Sequence, residues 1–422
     1  MNSKKKILFV THLFHPAVGG VEIHIKHLSA ALVKRGYAVN VLTTNAYSTE
    51  AFFMGDKRRV KKQEETIDGV HVHRVGFKTF GSRLLNKICI LACRLKFPFN
   101  RWVRFYSFGP RSPQFIHEIV VQDPDIIITV PLPTLNVHYA YKAAKQLNKP
   151  LIIIPSYHIA DRCCFYNPLF FKMLREADLV VPHTSMEKDF LAAEAGVDPN
   201  RMAVMPPFPL TEDQLEPELK NKFEIRQKYK VREKYVVLYL GQHGIHKKVN
   251  RVLEAMPYVW QRFSDTALVI AGGVTDNTRL LKKKAAALNR ANIGKYEGRV
   301  YFIENFYPHE KNDILQMSDV FISLSEMESF GIVFVEAMNN GIPMIASRNC
   351  VSRDIVKETE TGILVEPKSI TDVAGGIMEL LGDEAMRKRF GQNGRKNAVS
   401  DYHPQHLLAR WEELFANVIK PK

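Results

Sequence analysis

Long apolar runs are missing from this 422-residue chain: none approaches the roughly 18 residues that cross a bilayer as a helix, so no segment reads as a membrane span. Cysteine is scarce. Cys89, Cys93, Cys163, Cys164 and Cys350 are odd in number and irregular in spacing, which excludes a disulfide framework. The adjacent Cys163 and Cys164 offer no metal-ligand pattern, and reduced thiols of a cytosolic protein are the expectation. The G-x-G-x-x-G fingerprint is absent from the first strand-to-helix turn. The second strand, AVNVLTTN, also lacks the terminal acid that would hold a ribose, which disfavours a dehydrogenase. No G-K-[ST] follows any glycine-rich turn, so the chain has no Walker loop. The start, MNSKKKILFVTH, is basic and then apolar, but ILFV is too short for a signal-peptide core and HLFHP follows at once. It reads as a first buried strand.

Acidic residues are missing locally. From Gly69 to His117 there is no Asp or Glu, where the composition predicts about five, and the same stretch carries nine Lys or Arg. The whole chain has 59 Lys plus Arg against 44 Asp plus Glu, a net charge of +15 that suits an anionic partner. Within the gap, residues 83–111 interleave bases with aromatics. Trp102, Phe97, Phe99 and Phe105 could enter a headgroup layer while Arg94, Lys96, Arg101 and Arg104 meet anionic lipid. A solvated basic loop over a core helix is the alternative.

Short β-branched runs alternate with amphipathic helices. KILFVT precedes VEIHIKHLSAALVKRG, in which Val21, Ile25, Leu28 and Leu32 share a face and Gly36 supplies a stop. AVNVLTT, DIIITV, LIIIP and DLVV read as further buried strands, and the alternation predicts an α/β fold with parallel sheets covered by helices on both faces. MPPFPLTEDQLEP, at 205–217, carries four prolines and reads as a linker. Beyond it YVVLYL, ALVIAG, VYFI, VFISLS, IPMIAS and GILV predict six more strands, hence a second Rossmann-like domain facing the first across a central cleft. The expected boundaries are 1–207, 208–400 and a terminal helix in 401–422 with Leu407, Trp411, Leu414 and Val418 on one face.

Ligands of open α/β sheets lie beyond the carboxyl ends of the strands, so the strand-to-helix turns carry the candidates. In THLFHPAVGGVE, Gly19 and Gly20 allow close approach of an anion to a helix start, although a tight turn would also need them. In LGQHGIHKKVNRVLEAM the strand ends at Gly241, and Lys247 and Lys248 stand at a helix mouth within reach of a phosphate. In VFISLSEMESFGIVFVEAMNNG, Glu328 lies before a helix and Glu336 within it, around a run that reads as protein interior. Buried carboxylates need polar partners, which sugar hydroxyls would supply. The amides of Phe330 and Gly331 open the same helix.

Together these turns resemble the retaining glycosyltransferases of family 4, which have the two-domain GT-B fold. The most specific part is ESFGIVFVEAM, the E-x7-E signature, here Glu328 and Glu336. F-x-P-x-x-G-G-x-E follows, here Phe14, Pro16, Gly19, Gly20 and Glu22, with TGILVEP and the K-x-V-N segment in support. The resemblance implies roles. Glu336 would hold the nucleotide ribose, and Glu328 with the Phe330 and Gly331 amides would contact the donor sugar. Lys247, or Lys248 in its place, would neutralise the diphosphate beside Gly241. Gly19 and Gly20 would let the N-terminal domain close on that diphosphate. His158, in LIIIPSYHIA, would stand near the anomeric carbon.

The implied reaction passes a hexosyl group from a nucleotide diphosphate sugar, a UDP or GDP conjugate, to a lipid-linked or polysaccharide acceptor at the cytoplasmic membrane face. No metal or other cofactor and no nucleic acid is expected. A phosphorylase or epimerase on the same fold, or a non-catalytic polyanion- or membrane-binding protein, are the competing readings. Three positions depart from the family pattern: Gln242 replaces an arginine, Lys248 replaces a glycine, and SRNCVSRDIV near 350 is poor in glycine, with Asp354 where glutamate is common. Asp123-Pro-Asp125 mimics a D-x-D metal motif but begins a strand.

Overall fold

The computed structural model describes residues 5–53, 56–95, 100–291 and 298–419, which form two compact units. The first comprises the chain up to Phe208 together with the terminal segment from Pro404; the second runs from Pro209 to His403.

The first unit is built on seven strands: β1 (Lys6–Thr11), β2 (Ala38–Thr44), β3 (Glu64–Ile67), β4 (Val70–Val75), β5 (Ile126–Val130), β6 (Leu151–Ile153) and β7 (Leu179–Val180). Their order is β3-β4-β2-β1-β5-β6-β7, parallel throughout except for β3 against β4. That antiparallel edge departs from the all-parallel expectation. Asp68 and Gly69 connect the two strands with φ of 50° and 81°, the left-handed pair that a two-residue hairpin requires. Helix Gly20–Lys34 buries Ile25, Leu28 and Leu32 against the sheet, ends at Arg35, and is followed by Gly36 at φ 94°. The last helix, Pro404–Val418, belongs to the same apolar cluster, with Leu407, Leu408, Trp411 and Phe415 fully buried and Leu414 and Val418 partly so.

Two readings of the first unit need correction. The proline-rich stretch is not loose where it leaves this unit, because Met205 and Phe208 are core residues and the Phe208 amide donates to His24 Nδ1 at 2.9 Å. In the basic segment, helices Ser82–Arg94 and Asn100–Ser107 pack on one another, and the second turns Phe105 inward. Its ring lies 4.9 Å from that of Phe170 and 5.1 Å from that of His138. Arg104 is buried too, donating to the Cys163 carbonyl at 2.6 Å. A hydrocarbon-rich helix face fills the core before it can face lipid, so neither residue is available to a membrane. Lys96, Phe97, Phe99 and the side chains of Cys93 and Arg94 lie outside the described residues.

The second unit has six parallel strands: β8 (Tyr235–Leu240), β9 (Thr266–Gly272), β10 (Val300–Glu304), β11 (Val320–Ser323), β12 (Met344–Ser347) and β13 (Gly362–Val365), ordered β10-β9-β8-β11-β12-β13. All six predicted runs are strands. β8, β9, β11 and β12 are buried end to end or nearly so, as a sheet covered on both faces demands.

Candidate active site

In the second unit β8 and β11 are neighbours, yet the chain leaves β8 toward β9 and leaves β11 toward β12, on opposite sides. Loops that diverge from adjacent strands open a crevice at their carboxyl ends. The loop after β8 contains Gly241 at φ 155°, buried His243, a turn at Ile245–Lys247, and Lys248 at φ 54° before helix Val249–Arg262. At the end of β9, Gly272 has φ 140°, and a Cβ there would stand 1.8 Å from the Gly241 carbonyl oxygen. Only glycine lets these two strand ends touch. Sequence reasoning selected Gly241 and passed over Gly272, whose constraint exists only across the sheet.

The loop after β11 runs to Gly331, at φ 101°, which opens helix Ile332–Asn339. Phe330 is buried, its ring 5.9 Å from Tyr402, which fixes the backbone just ahead of that helix. Three glutamates of this region each meet a lysine. Lys247 pairs with Glu328, Lys248 Nζ lies 2.9 Å from Glu326 Oε2, and Lys311 pairs with Glu336. The carboxylates of Glu328 and Glu336 are largely shielded from water, where an unpaired charge would cost several kcal/mol. Each ion pair therefore stabilises its buried acid, and the two loops are tied together across the β8–β11 crevice. Glu336 Oε2 remains buried without a hydrogen-bond partner. Its other oxygen is held by Lys311, so Oε2 keeps lone pairs that no described residue uses. Lys311, at the start of helix Lys311–Gln316, was not legible as a site residue because 25 positions separate it from its partner.

In the first unit, Gly19 has extended backbone and precedes helix Gly20–Lys34. A Cβ at Gly19 would meet the Glu22 carboxylate at 2.3 Å, so the glycine makes room for that side chain at the helix start. Glu22 is buried, and desolvation pushes its pKa up to about 7. His12 Nε2 lies 3.9 Å from it, but burial lowers His12 to about 3, so this is a contact with a neutral imidazole and not an ion pair. His158 follows β6 and stacks on Phe165 with 4.9 Å between ring centroids. The backbone before it is held by Glu187, which accepts from the Tyr157 amide at 2.8 Å and the His183 amide at 2.7 Å. Burial raises Glu187 to about 8 despite those amides. Ser156, at φ 49°, meets His183 Nε2 at 3.0 Å. None of Glu187, His183 or Ser156 stood out in the sequence, since a buried frame has no motif. Asp125 accepts from the Lys6 amide at 2.8 Å and Asp123 pairs with Lys149 at 3.0 Å, so both acids of the D-x-D mimic have structural partners.

Two family models match the chain: Glycosyltransferase Family 4 over residues 18–208 and Glycosyl transferases group 1 over 221–397. Sulfoquinovosyl transferase SQD2 of Arabidopsis thaliana is 27% identical over 303 residues, covering 68% of this chain and 55% of its own length. A GDP-mannose-dependent alpha-(1-6)-phosphatidylinositol monomannoside mannosyltransferase of Mycobacterium tuberculosis is 27% identical over 207 residues, covering 49% of this chain and 52% of its own. The chain thus spans about half or less of the curated relatives it matches. Among solved structures, the Anabaena protein Alr3699/HepE in complex with UDP and glucose superposes with a TM-score of 0.73 at 16% identity, covering 98% of this chain and 99% of that one. That likeness establishes the two-domain GT-B architecture.

Proposed function

The chain belongs to glycosyltransferase family 4, and on that footing we propose that it moves a hexosyl group, with retention of anomeric configuration, from a UDP or GDP sugar to a lipid-linked or polysaccharide acceptor at the cytoplasmic face of a membrane. The observation that carries the donor reading is the pair of shielded carboxylates beyond β11, each held by a lysine, with Glu336 Oε2 left to accept from a ligand. Glu336 grips the ribose hydroxyls. Glu328 orders the sugar hydroxyls, and the Phe330 and Gly331 amides support them.

Breaking the bond between C1 and the diphosphate builds positive charge on the ring and negative charge on the departing phosphate. Lys247 and Lys248 stabilise the second charge at the β8 loop, where Gly241 leaves the backbone close. Because Lys247 is paired with Glu328, sugar binding and leaving-group stabilisation act on one ion pair. The family resemblance assigns His158, on a loop braced by Glu187, to the anomeric carbon and Gly19 and Gly20 to the diphosphate. No side chain is assigned as a covalent nucleophile; the acceptor attacks from the face the phosphate leaves, and the phosphate takes its proton. No metal enters the scheme. The acceptor class draws support from the phosphatidylinositol monomannoside in the mycobacterial relative's name, and the donor class from the UDP bound to the Anabaena protein.

The test is incubation of the protein with a panel of nucleotide sugars and membrane lipids or glycans. Transfer with one donor, lost in Glu336→Ala, is expected. If no donor is hydrolysed or transferred, or if Glu336→Ala behaves as wild type, the assignment fails.

A further inference from the structure

Helix Ser82–Arg94 of the first unit, with Leu95 just beyond its end, carries an apolar stripe that no described residue covers. Leu84, Ile88, Leu91 and Leu95 recur at i, i+4, i+7 and i+11, and are 63%, 43%, 57% and 65% exposed. At 100° per residue these four fall within about 60° of arc, while Ser82 and Cys89 lie on the opposite, buried side. Arg83 and Lys87 border the stripe and are exposed. The packed neighbour Asn100–Ser107 adds exposed Arg101 and Trp102. That helix is anchored from within by Phe105 and Arg104, and by Asn167 donating to the Arg101 carbonyl at 3.0 Å. The sequence from Gly69 to His117 contains no acid.

We propose that this stripe, Leu84, Ile88, Leu91 and Leu95 with Trp102, is a docking surface that lies flat on an anionic lipid bilayer, entering the acyl boundary while Arg83, Lys87 and Arg101 meet lipid phosphates. Charge selects this occupant. A second copy of the chain would bring two faces of the same sign together, and one helix stripe is too small for a stable dimer interface of roughly 800 Å² per partner. A nucleic acid would satisfy the bases but leave the leucines facing water. Only an anionic interface rewards both halves of the pattern. The docking rests on the glycosyl-transfer reading solely for its purpose, which is to hold the enzyme where a lipid-linked acceptor resides; the binding itself requires no donor.

The protein supplies its own probe. Of its three tryptophans, Trp260 and Trp411 are fully buried, so a change in emission on adding vesicles reports Trp102. The full chain is titrated with vesicles of phosphatidylcholine alone and with 30% phosphatidylglycerol, by emission and by flotation. Expected are a blue shift and co-flotation only with the anionic vesicles, weakened at least about tenfold between 50 and 500 mM NaCl. Leu84→Ser with Ile88→Ser and Leu91→Ser should weaken binding at least about 30-fold, since each exposed side chain otherwise gains burial. The triple variant should keep the wild-type melting temperature and any nucleotide-induced rise in it. That last measurement separates the proposals: a missing nucleotide response counts against glycosyl transfer, and missing flotation counts against docking. Absence of vesicle binding, binding that the three serines leave unchanged, or self-association in light scattering that the serines abolish would each overturn it.

Discussion

Replacing Glu336 by glutamine keeps the side chain's shape and removes one negative charge from a site that water barely reaches. One carboxylate oxygen is occupied by Lys311, and the other accepts nothing from the described residues. If that oxygen and its neighbour hold the two ribose hydroxyls, each bond is charge-assisted and contributes about 1.5–3 kcal/mol, against about 0.5–1.5 kcal/mol to a neutral amide. The loss is about 1–1.5 kcal/mol per hydroxyl, hence about 2–3 kcal/mol for the pair, or about 30- to 150-fold in Kd. Lys311 is partly exposed and can be rehydrated, so stability should change by less than about 1 kcal/mol. The assay is calorimetric titration with the nucleoside diphosphate that binds best and with its 2′,3′-dideoxy analogue. Wild type should discriminate the two by about 3–6 kcal/mol, at least about 150-fold, because both charge-assisted bonds are lost, and Glu336→Gln by only about 1–3 kcal/mol. Equal affinity of variant and wild type, or undiminished discrimination in the variant, would refute the assignment of this carboxylate to the ribose.

Three further outcomes follow from the same geometry. Lys247→Met removes the cation paired with the shielded Glu328 carboxylate and should destabilise the second unit by about 2–4 kcal/mol, while Lys247→Met with Glu328→Gln should recover part of that in a denaturant series. On turnover, Lys247→Met should lower kcat by about 100- to 1,000-fold with a smaller effect on KM, because its charge acts on the departing phosphate. Gly272→Ala would drive a methyl group into the Gly241 carbonyl at a left-handed φ, and a loss of about 3 kcal/mol or more is expected in thermal unfolding; a loss below 1 kcal/mol would show that the strand ends separate at little cost. Stability should also peak near pH 6.5. Buried His12, His24 and His183 have depressed pKa values, so below pH 6.5 the unfolded chain takes up protons the fold refuses, and stability falls with acid. Glu22 and Glu187, raised to about 7 and about 8, keep protons in the fold that the unfolded chain sheds above 4.5, so stability is lost as pH climbs toward 8. Melting curves from pH 4 to 9 check both limbs, and Glu22→Gln should flatten the alkaline one.

The strand-to-helix turns were legible because burial on both faces of a parallel sheet forces uninterrupted apolar runs, and a charge beside such a run stands out. Glu328, Glu336, Lys247 and Lys248 were singled out that way. Asp68-Gly69 was also readable as a hairpin turn, but its flanking strand VHVHRV is half polar and escaped notice. Phe105 and Arg104 were misplaced for a different reason. An aromatic and a base one residue apart look alike on a solvent-facing and a core-facing helix, and only the packing against Phe170 and Cys163 distinguishes them. Glu187 left no trace, since its role as acceptor for two amides depends on loops that converge from separate strands.

Local chain chemistry was enough to set the number of sheets, their parallel sense in the second unit and the turns where a ligand could be held, because hydrophobic period and turn residues act over a few positions. It could not say that Lys247 would meet Glu328, that Lys311 would meet Glu336 and leave one oxygen unpartnered, or that Gly272 must be bare to let Gly241 pass. Those pairings span 81, 25 and 31 residues; the first and last exist because the sheet order sets β8 between β9 and β11, and the second because the helix before β11 packs beside the helix after it.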